Sequence, residues 1–600
     1  MLRFRLVLSA GLLAALCLWL TVTALTPRPG LASQGELRAA RLSPQTLPPS
    51  PYSLEPVLEP YLRYQEARLG GDVAALRELA EAQRGSYLEY RILFELARDE
   101  ALDAEARAAA HRRLNEVMVR DPLAAEDERR VWLDYARAAE AAGLGDEALA
   151  AYGRALPLAE AVDGVSRLAA GPAERAERLM GARLYEQALE ALEGLSRPSL
   201  TAPILRALGR HEEALAAYRL WLQDEPESER ARYGEASSLF DLGRNPEADA
   251  LFADLPGAQA LSYRGHIARR AEDTARATDF YRRAGDAHNL WGVTERLEAE
   301  GRYREAIALY LELTRSGTVY ADDAAYRAFV LAGRLGDEGA QASARALMPD
   351  HSYLGLSLGK ALGPPTTSLL PKSGHPALEL AHALARAGDF GAAIGELRFA
   401  AREAGDEASA ADIAEALYNL GDFRQSYLIA NHWLLEGSRD LRTWRLAYPR
   451  AYSELVTHQA EHWGVDPYLI WAVMRQESRY YPRAVSVSNA QGLMQVIPPT
   501  WGWLAELKRE TPGDAFDPYD NIRYGTYYLR RLLDQFGGDL ELVTAAYNGG
   551  PGYIGRLYAA PPVSGNREDF LRFIDRQEPR EYIQQVMLNY HIYRALYDED

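Results

Sequence analysis

The chain has 600 residues, enough for three or more domains with real cores, and its formal net charge is −18. That acidity excludes nucleic acid or an anionic membrane surface as the main partner, since both would repel it. A single cysteine, Cys17, excludes a disulfide framework within the chain.

Met1-Leu-Arg-Phe-Arg5 carries positive charge, and Leu6 to Leu25 follows without a charged residue. Val22-Thr-Ala24 offers the small residues of a signal-peptidase site. The same length, about 20 residues, also suits a spanning helix. Residues 1–25 are therefore read as a signal peptide or membrane anchor. Either one exports the rest of the chain, and any membrane contact is expected only through this segment. Bulky Leu16 disfavours lipidation of Cys17. Residues 26–57, rich in Pro, Ser and Gly, read as a linker.

From 58 to 449 the chain is dense in Ala, Leu, Glu and Arg, with helix-period apolar positions and almost no strand signal. It also repeats. Gly143…Ala148…Tyr152, Gly209…Ala214…Tyr218, Gly243…Ala248…Phe252, Gly301…Ala306…Tyr310 and Gly388…Ala393 share one spacing. Gly209 to Gly243 is a step of 34 residues, the length of a tetratricopeptide unit. The physical reading is stacked helix pairs. Gly ends one helix, Ala permits close approach between helices, and Tyr or Leu fills the seam. Such pairs form a curved superhelix, a scaffold suited to protein partners. Residues 351–376, with Gly363-Pro-Pro and several further Pro, Ser and Gly, read as an exposed loop between sub-blocks. Near Ala447 aromatics, Asn, Gln and Pro increase, which places a last domain at 450–600.

That domain contains the candidate chemistry. Asp466 is a good N-cap and Pro467 fits the first position of a helix running to Ser478. Ile470, Val473 and Met474 share a face with Glu477. A carboxylate ending an apolar stripe is costly to bury ionised, so its pKa is expected to rise, as a proton donor requires. An ion pair with Arg475 or Arg483 is the plain alternative. Downstream, Gln491-Gly-Leu-Met-Gln495 combines a tight turn at Gly492, an apolar wall at Met494 and a hydrogen-bonding amide at Gln495. Ala545-Ala-Tyr-Asn-Gly549 ends a helix so as to present Tyr547 and Asn548. Glu578-Pro-Arg-Glu-Tyr582 leads into a closing aromatic helix with Tyr590 and Tyr593.

Glu-Ser, Gly-Leu-Met-Gln about fifteen residues on, Ala-Tyr-Asn-x-Gly-Pro and a Tyr in a terminal helix together resemble the soluble lytic transglycosylase family. Asn521-Ile-Arg-Tyr-Gly525 matches the family's helix between its second and third motifs. The resemblance implies an all-α protein, with a superhelix of tetratricopeptide-like pairs followed by a lysozyme-like domain acting on peptidoglycan in the periplasm or cell envelope. It also implies Glu477 as catalytic acid/base, with Ser478, Ser486, Met494, Gln495, Tyr547, Asn548, Glu578 and Tyr582 around the sugar. The family's last motif usually reads Ile-Pro…Glu-Thr-Arg. Here the segment is Ile574-Asp-Arg-Gln-Glu-Pro-Arg580, so Glu578 and Tyr582 rest on position. Ile497 stands where relatives often have Met.

Hydrolases that cut glycosides need two carboxylates, and no second one recurs in these motifs. Asp514, Asp517 and Asp520 read as turn and cap residues. A single-carboxylate route fits. Glu477 protonates the oxygen between N-acetylmuramic acid and N-acetylglucosamine, then removes the proton from the muramyl C6 hydroxyl, which closes onto C1 as a 1,6-anhydro end. Trp501, Trp503 and several Tyr offer faces for sugar rings, and no metal or other cofactor is needed. The alternatives are a muramidase on the same fold, in which water attacks, and a non-catalytic peptidoglycan-binding scaffold.

Overall fold

A computed structural model describes residues 56–117, 125–316, 320–348, 353–357, 369–561, 563–566, 570, 574 and 577–598. The predicted leader and linker lie outside these residues, apart from Pro56 and Val57. Helices dominate, and the described residues contain no strand beyond isolated bridges joining Gln491 to Val485 and Val496. None of the described helices is long and apolar enough to cross a membrane. The chain divides into two compact units, one combining the segments up to Glu95 and from Leu362 onward, the other holding most of the chain between them.

In the intervening unit consecutive helices pair antiparallel-fashion through short turns, and the repeat spacing explains why. Gly143, Gly209, Gly243 and Gly301 adopt φ between 74° and 76°, the left-handed conformation that stops one helix and frees the next to turn back. Ala148, Ala214, Ala248 and Ala306 are completely buried where the helices touch. The large residue four positions later fills the seam. Tyr152 donates to Glu140 at 2.6 Å, and Tyr310 donates to Glu298 at 2.8 Å across the same twelve-residue offset. Facing glycines make room for these rings. A Cβ at Gly164 would lie 2.5 Å from the Tyr152 ring, and one at Gly234 would lie 2.1 Å from Tyr218. Each pair thus buries an apolar seam against its neighbours, the basis of a repeat array.

The other unit begins with Pro56–Leu58, Glu59–Gly70, Val73–Ala82 and the start of Tyr87–Arg98; Pro56–Leu58 packs on Pro376–Arg386, and Tyr61 and the start of Tyr87–Arg98 reach Phe390–Ala400. Glu396 organises this contact. Its carboxylate accepts from the Tyr61 hydroxyl at 2.6 Å and from the backbone N–H groups of Leu88 and Tyr87 at 3.2 and 3.3 Å. Those N–H groups open a helix and have no partner within it, so a buried carboxylate is well placed there. Arg91 pairs with Asp389 at 2.9 Å alongside. The expected loop at 351–376 is only partly a loop. Tyr353–Ser357 is a short helix with Tyr353 and Leu354 buried, because two large apolar side chains gain more from packing than from exposure. Residues 369–375 are irregular and mostly exposed, while 358–368 lie outside the described residues.

The helices that position the candidate site are Ser453–Trp463, Pro467–Ser478, Pro498–Lys508, Pro518–Gln535, Leu540–Gly549, Pro551–Ala559 and Gln577–Tyr597.

Candidate active site

The helix Pro467–Ser478 starts as its sequence directs. Asp466 accepts from the Tyr468 N–H at 2.9 Å, and Pro467 occupies the first turn. Leu469 to Met474 are buried without interruption, so the apolar face is wider than the stripe read from periodicity. Glu477 lies one residue before the last helical position, Ser478, and the cap residue Arg479 has φ 50°. The carboxylate is half-buried, and the Tyr582 hydroxyl donates to its Oε1 at 2.6 Å. Arg475 does not serve as its ion partner. Its guanidinium donates to Asn589 and Asn431 at 2.9 Å each and to the Ala447 carbonyl at 3.2 Å, and it lies 4.0 Å above the Tyr448 ring. Arg483 is exposed.

The helix Gln577–Tyr597 fixes Glu477 from outside. Tyr582, Val586, Asn589 and Tyr593 share one of its faces by helical spacing. They meet, in order, Glu477, the buried interior, Arg475 and the Tyr480 hydroxyl, the last at 2.5 Å. Tyr590 adds a hydrogen bond of 2.8 Å to Asp466, the N-cap of the Glu477 helix. Both ends of that helix are thus held by one partner.

A second phenol stands near. Tyr547 is buried, donates to the Met494 carbonyl at 2.8 Å and packs its ring 5.2 Å from that of Tyr528. Burial, and after it the charge of Glu477, push the Tyr547 and Tyr582 hydroxyls well above a tyrosine's ordinary pKa. Both are therefore neutral hydrogen-bond donors over the physiological range.

The Gly-Leu-Met-Gln segment is held from behind. Gly492 has φ 79°, and a Cβ there would lie 2.1 Å from Asn521 Nδ2 and 2.2 Å from the Ala515 carbonyl oxygen. Asn521 is completely buried. Its Oδ1 accepts from Met494 N at 2.7 Å, and its Nδ2 donates to Ala515 and Gln491 carbonyls at 2.7 and 3.0 Å. Gly525 receives the Met494 side chain so closely that a Cβ would sit 2.3 Å from Sδ.

The predicted site residues fall into three groups. Glu477, Tyr582 and Tyr547 come together as described, and half-buried Asn548 follows Tyr547 at the helix end. Ser478, Met494 and Trp501 are placed differently from a sugar-contacting role. Ser478 is buried and bonds the Met474 carbonyl at 3.2 Å, Met494 is fully buried against Gly525, and Trp501 packs 4.4 Å from Tyr524 in the core. Each lies on the inward side of its turn or helix, where burial gains more than exposure would. Ser486 and Gln495 shape their loops. Ser486 Oγ accepts from Ala490 and Ser488 N–H groups at 3.0 and 3.2 Å, and Gln495 Nε2 donates to Ala484 and Gly492 carbonyls at 3.0 and 2.8 Å. The Ser486 hydroxyl proton and Gln495 Oε1 are what each has for a ligand. Glu578 belongs to the terminal helix by its backbone, and its side chain lies outside the described residues.

Asp514, Asp517 and Asp520 take the turn and cap roles expected of them. Asp517 accepts from the Tyr519 and Asp520 N–H groups, and Asp520 pairs with Arg523 at 3.0 Å. Asn521 was missed as a positioning residue. Its sequence signal is its place at the head of Asn521-Ile-Arg-Tyr-Gly525, the segment matched above to a family helix, which gave it no role.

Residues 454–567 match the family model described as the transglycosylase SLT domain. This part of the chain is similar to the transglycosylase SLT domain family. The matched span includes Glu477, the Gly-Leu-Met-Gln turn and Tyr547, and ends before Tyr582. The soluble lytic murein transglycosylase of Escherichia coli K12 is 32% identical over 154 residues, covering 24% of this chain and 23% of that protein. Membrane-bound lytic murein transglycosylase C of Edwardsiella ictaluri is 39% identical over 121 residues, covering 18% of this chain and 34% of that protein. The chain thus spans about a quarter to a third of the length of these curated relatives. The crystal structure of the 70 kDa soluble lytic transglycosylase from Escherichia coli aligns with 90% of this chain and 91% of its own, at TM-score 0.50 and 18% identity. At that identity the likeness concerns the fold. It matches the expected class, an all-α array of helix pairs followed by a lysozyme-like α domain.

Proposed function

We propose that this protein is a peptidoglycan lytic transglycosylase and that Glu477 serves as both acid and base. The observation that carries the reading is the Tyr582–Glu477 hydrogen bond of 2.6 Å, at the end of a helix inside the SLT-matched span. Tyr582 engages Oε1 and so defines how the carboxyl group is presented. In the first step the Glu477 proton passes to the glycosidic oxygen as the C1–O4 bond between N-acetylmuramic acid and N-acetylglucosamine breaks. The muramyl N-acetyl group can stabilise the electron-poor C1, with Tyr547 and Asn548 as hydrogen-bonding neighbours. In the second step ionised Glu477 takes the proton of the C6 hydroxyl as O6 bonds to C1. The carboxyl proton is restored, no water is consumed, and a 1,6-anhydro end results. The engagement of Asp514, Asp517 and Asp520 in caps and turns supports a single-carboxylate route over one with a partner acid.

The substrate on this reading is the glycan strand of peptidoglycan, met in the periplasm or cell envelope after export directed by residues 1–25. The helix-pair array, 58–449, is the scaffold that accompanies the catalytic domain, 450–600, and offers surface to protein partners. Mass spectrometry of the soluble products of purified sacculi tests the chemistry. Anhydro-muramyl ends with wild type and no release with Glu477→Gln are expected. Reducing muramic ends would establish a hydrolytic muramidase instead, and release surviving Glu477→Gln would remove Glu477 from the reaction.

A further inference from the structure

The Glu477 helix is gripped at its last turn by a helix outside the family-matched span. That helix, Phe423–Leu435, falls in the array by sequence, and its Arg424, Tyr427 and Asn431 share one face by helical spacing. The Arg475 guanidinium, two residues before Glu477, donates to Asn431 Oδ1 at 2.9 Å and lies 5.2 Å from the centre of the Tyr427 ring. Tyr448 supplies a second ring at 4.0 Å. The other two acceptors are Asn589 of the terminal helix and the carbonyl of Ala447, where the helix Leu441–Ala447 ends. None of the three acceptors carries a charge, so what Arg475 gains is direction. A planar guanidinium bonded to three separate elements is held in one orientation.

Beyond Glu477 the chain takes an uncommon path. Arg479 and Tyr480 have φ of 50° and 62°, left-handed values that bulky residues keep only where their surroundings impose them. The surroundings are again the face of Phe423–Leu435. Tyr480 is buried, stands edge-to-face with Tyr427 at 5.6 Å, and shares a hydrogen bond of 2.5 Å with the Tyr593 hydroxyl. Arg424 lies 4.7 Å from the centre of the Tyr481 ring. Arg475, Tyr480 and Tyr481 thus bracket the turn that carries Glu477, and all three meet one helix face. Glu477 leaves that turn on nearly the opposite side from Arg475 by helical spacing, and there it meets Tyr582.

We propose that Arg475, with Tyr427 and Asn431, is a positioning device for Glu477, through which the helix Phe423–Leu435 sets where the carboxyl group is presented. The inference rests on the transglycosylase reading and adds that the array takes part in the cutting step as well as carrying the domain that performs it. A group that serves as acid and then as base depends on its placement, and a displacement of about 1 Å costs on the order of 100-fold in rate.

Full-length variants separate positioning from folding and from substrate binding. Asn431→Leu, of similar volume but without an acceptor, should lower kcat on purified glycan strands about tenfold and leave KM within about twofold. Asn431→Asp and Tyr427→Phe keep the acceptor and the ring and should stay within about threefold of wild type, whereas Tyr427→Leu should fall as Asn431→Leu does. Because Asn431 acts through Arg475, adding Asn431→Leu to Arg475→Met should lower kcat by less than about twofold more. Hydrogen exchange read by mass spectrometry should quicken over 475–481 in Asn431→Leu and stay unchanged over 498–508. An unchanged kcat, a loss that appears in KM, a full additive loss on top of Arg475→Met, or unaltered exchange at 475–481 would each overturn the proposal. So would an equal rise in exchange over 498–508, which marks a merely structural role. If wild type released no sugar at all, the transglycosylase reading would fall, and exchange at 475–481 alone would judge whether this helix face holds the turn.

Discussion

Replacing Asn521 with leucine, of similar volume, should loosen the site wall without touching Glu477. Asn521 is completely buried and holds Met494 N, the Ala515 carbonyl and the Gln491 carbonyl. Leucine leaves the N–H of Met494 and the carbonyl of Ala515 without partners in a buried place. Half-buried Gln491 loses less, because its surroundings are partly open. Each buried orphan costs about 1–3 kcal/mol, so the two together cost about 2–6 kcal/mol. With a melting shift of about 2–4 °C per kcal/mol for a unit of this size, the midpoint should fall by about 10 °C. Asn521→Asp makes the same point through pH. One oxygen still accepts from Met494 N, but the other faces carbonyls and can satisfy one only as an O–H donor. The folded chain then retains a proton that an unfolded aspartate releases near ~3.9. Stability is complete below that pH and declines as pH rises through the higher folded value. Circular dichroism melts of wild type and both variants at several pH values measure this. A leucine variant melting within about 2 °C of wild type would refute the argument, as would an aspartate variant whose midpoint does not fall with pH relative to wild type.

Other expectations follow from the same geometry. Tyr582→Phe removes the hydroxyl donor to Glu477; a hydrogen bond to a charged group is worth about 1.5–3 kcal/mol, so sacculus digestion should slow about 10- to 100-fold with the midpoint of unfolding little changed. Gly234→Ala gains about 1 kcal/mol of helix propensity, but its Cβ would lie 2.1 Å from the Tyr218 ring. Overpacking at about 1–3 kcal/mol or more should win and lower the melting midpoint. Burial holds the Glu396 carboxyl above its ordinary value, so the native state keeps a proton that the unfolded chain releases. The stability this contributes is present below the unfolded value and lost as pH rises through the folded one. The melting midpoint of wild type relative to Glu396→Gln should therefore decline from about pH 4 upward, and parallel curves would contradict the assigned burial effect.

Local features were legible from residue type and spacing. The Gly–Ala–Tyr repeat predicts the left-handed stops, buried alanines and seam-filling rings that occur, because each depends on neighbours within one helix pair. Asp466 and Pro467 likewise mark the start of the Glu477 helix, since a cap acts over a few residues. Features joining distant segments were not. Nothing in the sequence around Glu396 announces Tyr61, 335 residues away, or the helix end it caps. Periodicity also does not tell an inward aromatic from an outward one two positions later. Trp501 and Trp503 read alike, yet one packs in the core and the other is exposed, because the direction of the helix start at Ile497 decides which face turns inward. Met494 and Ser478 were assigned to the sugar by motif, and the turn and helix that carry them point both side chains inward.

The terminal helix has a consequence for when the site comes into being. Tyr582 reaches Glu477 across 105 residues, and Tyr590 reaches Asp466 across 124. A chain synthesised from its N-terminus presents the Glu477 helix before its clamp exists. Until residues 577–597 emerge and dock, the carboxylate lacks its phenol and the N-cap lacks its brace. A chain whose synthesis stalls short of that helix therefore lacks both contacts, and the order of synthesis alone makes the site the last part of the domain to be completed.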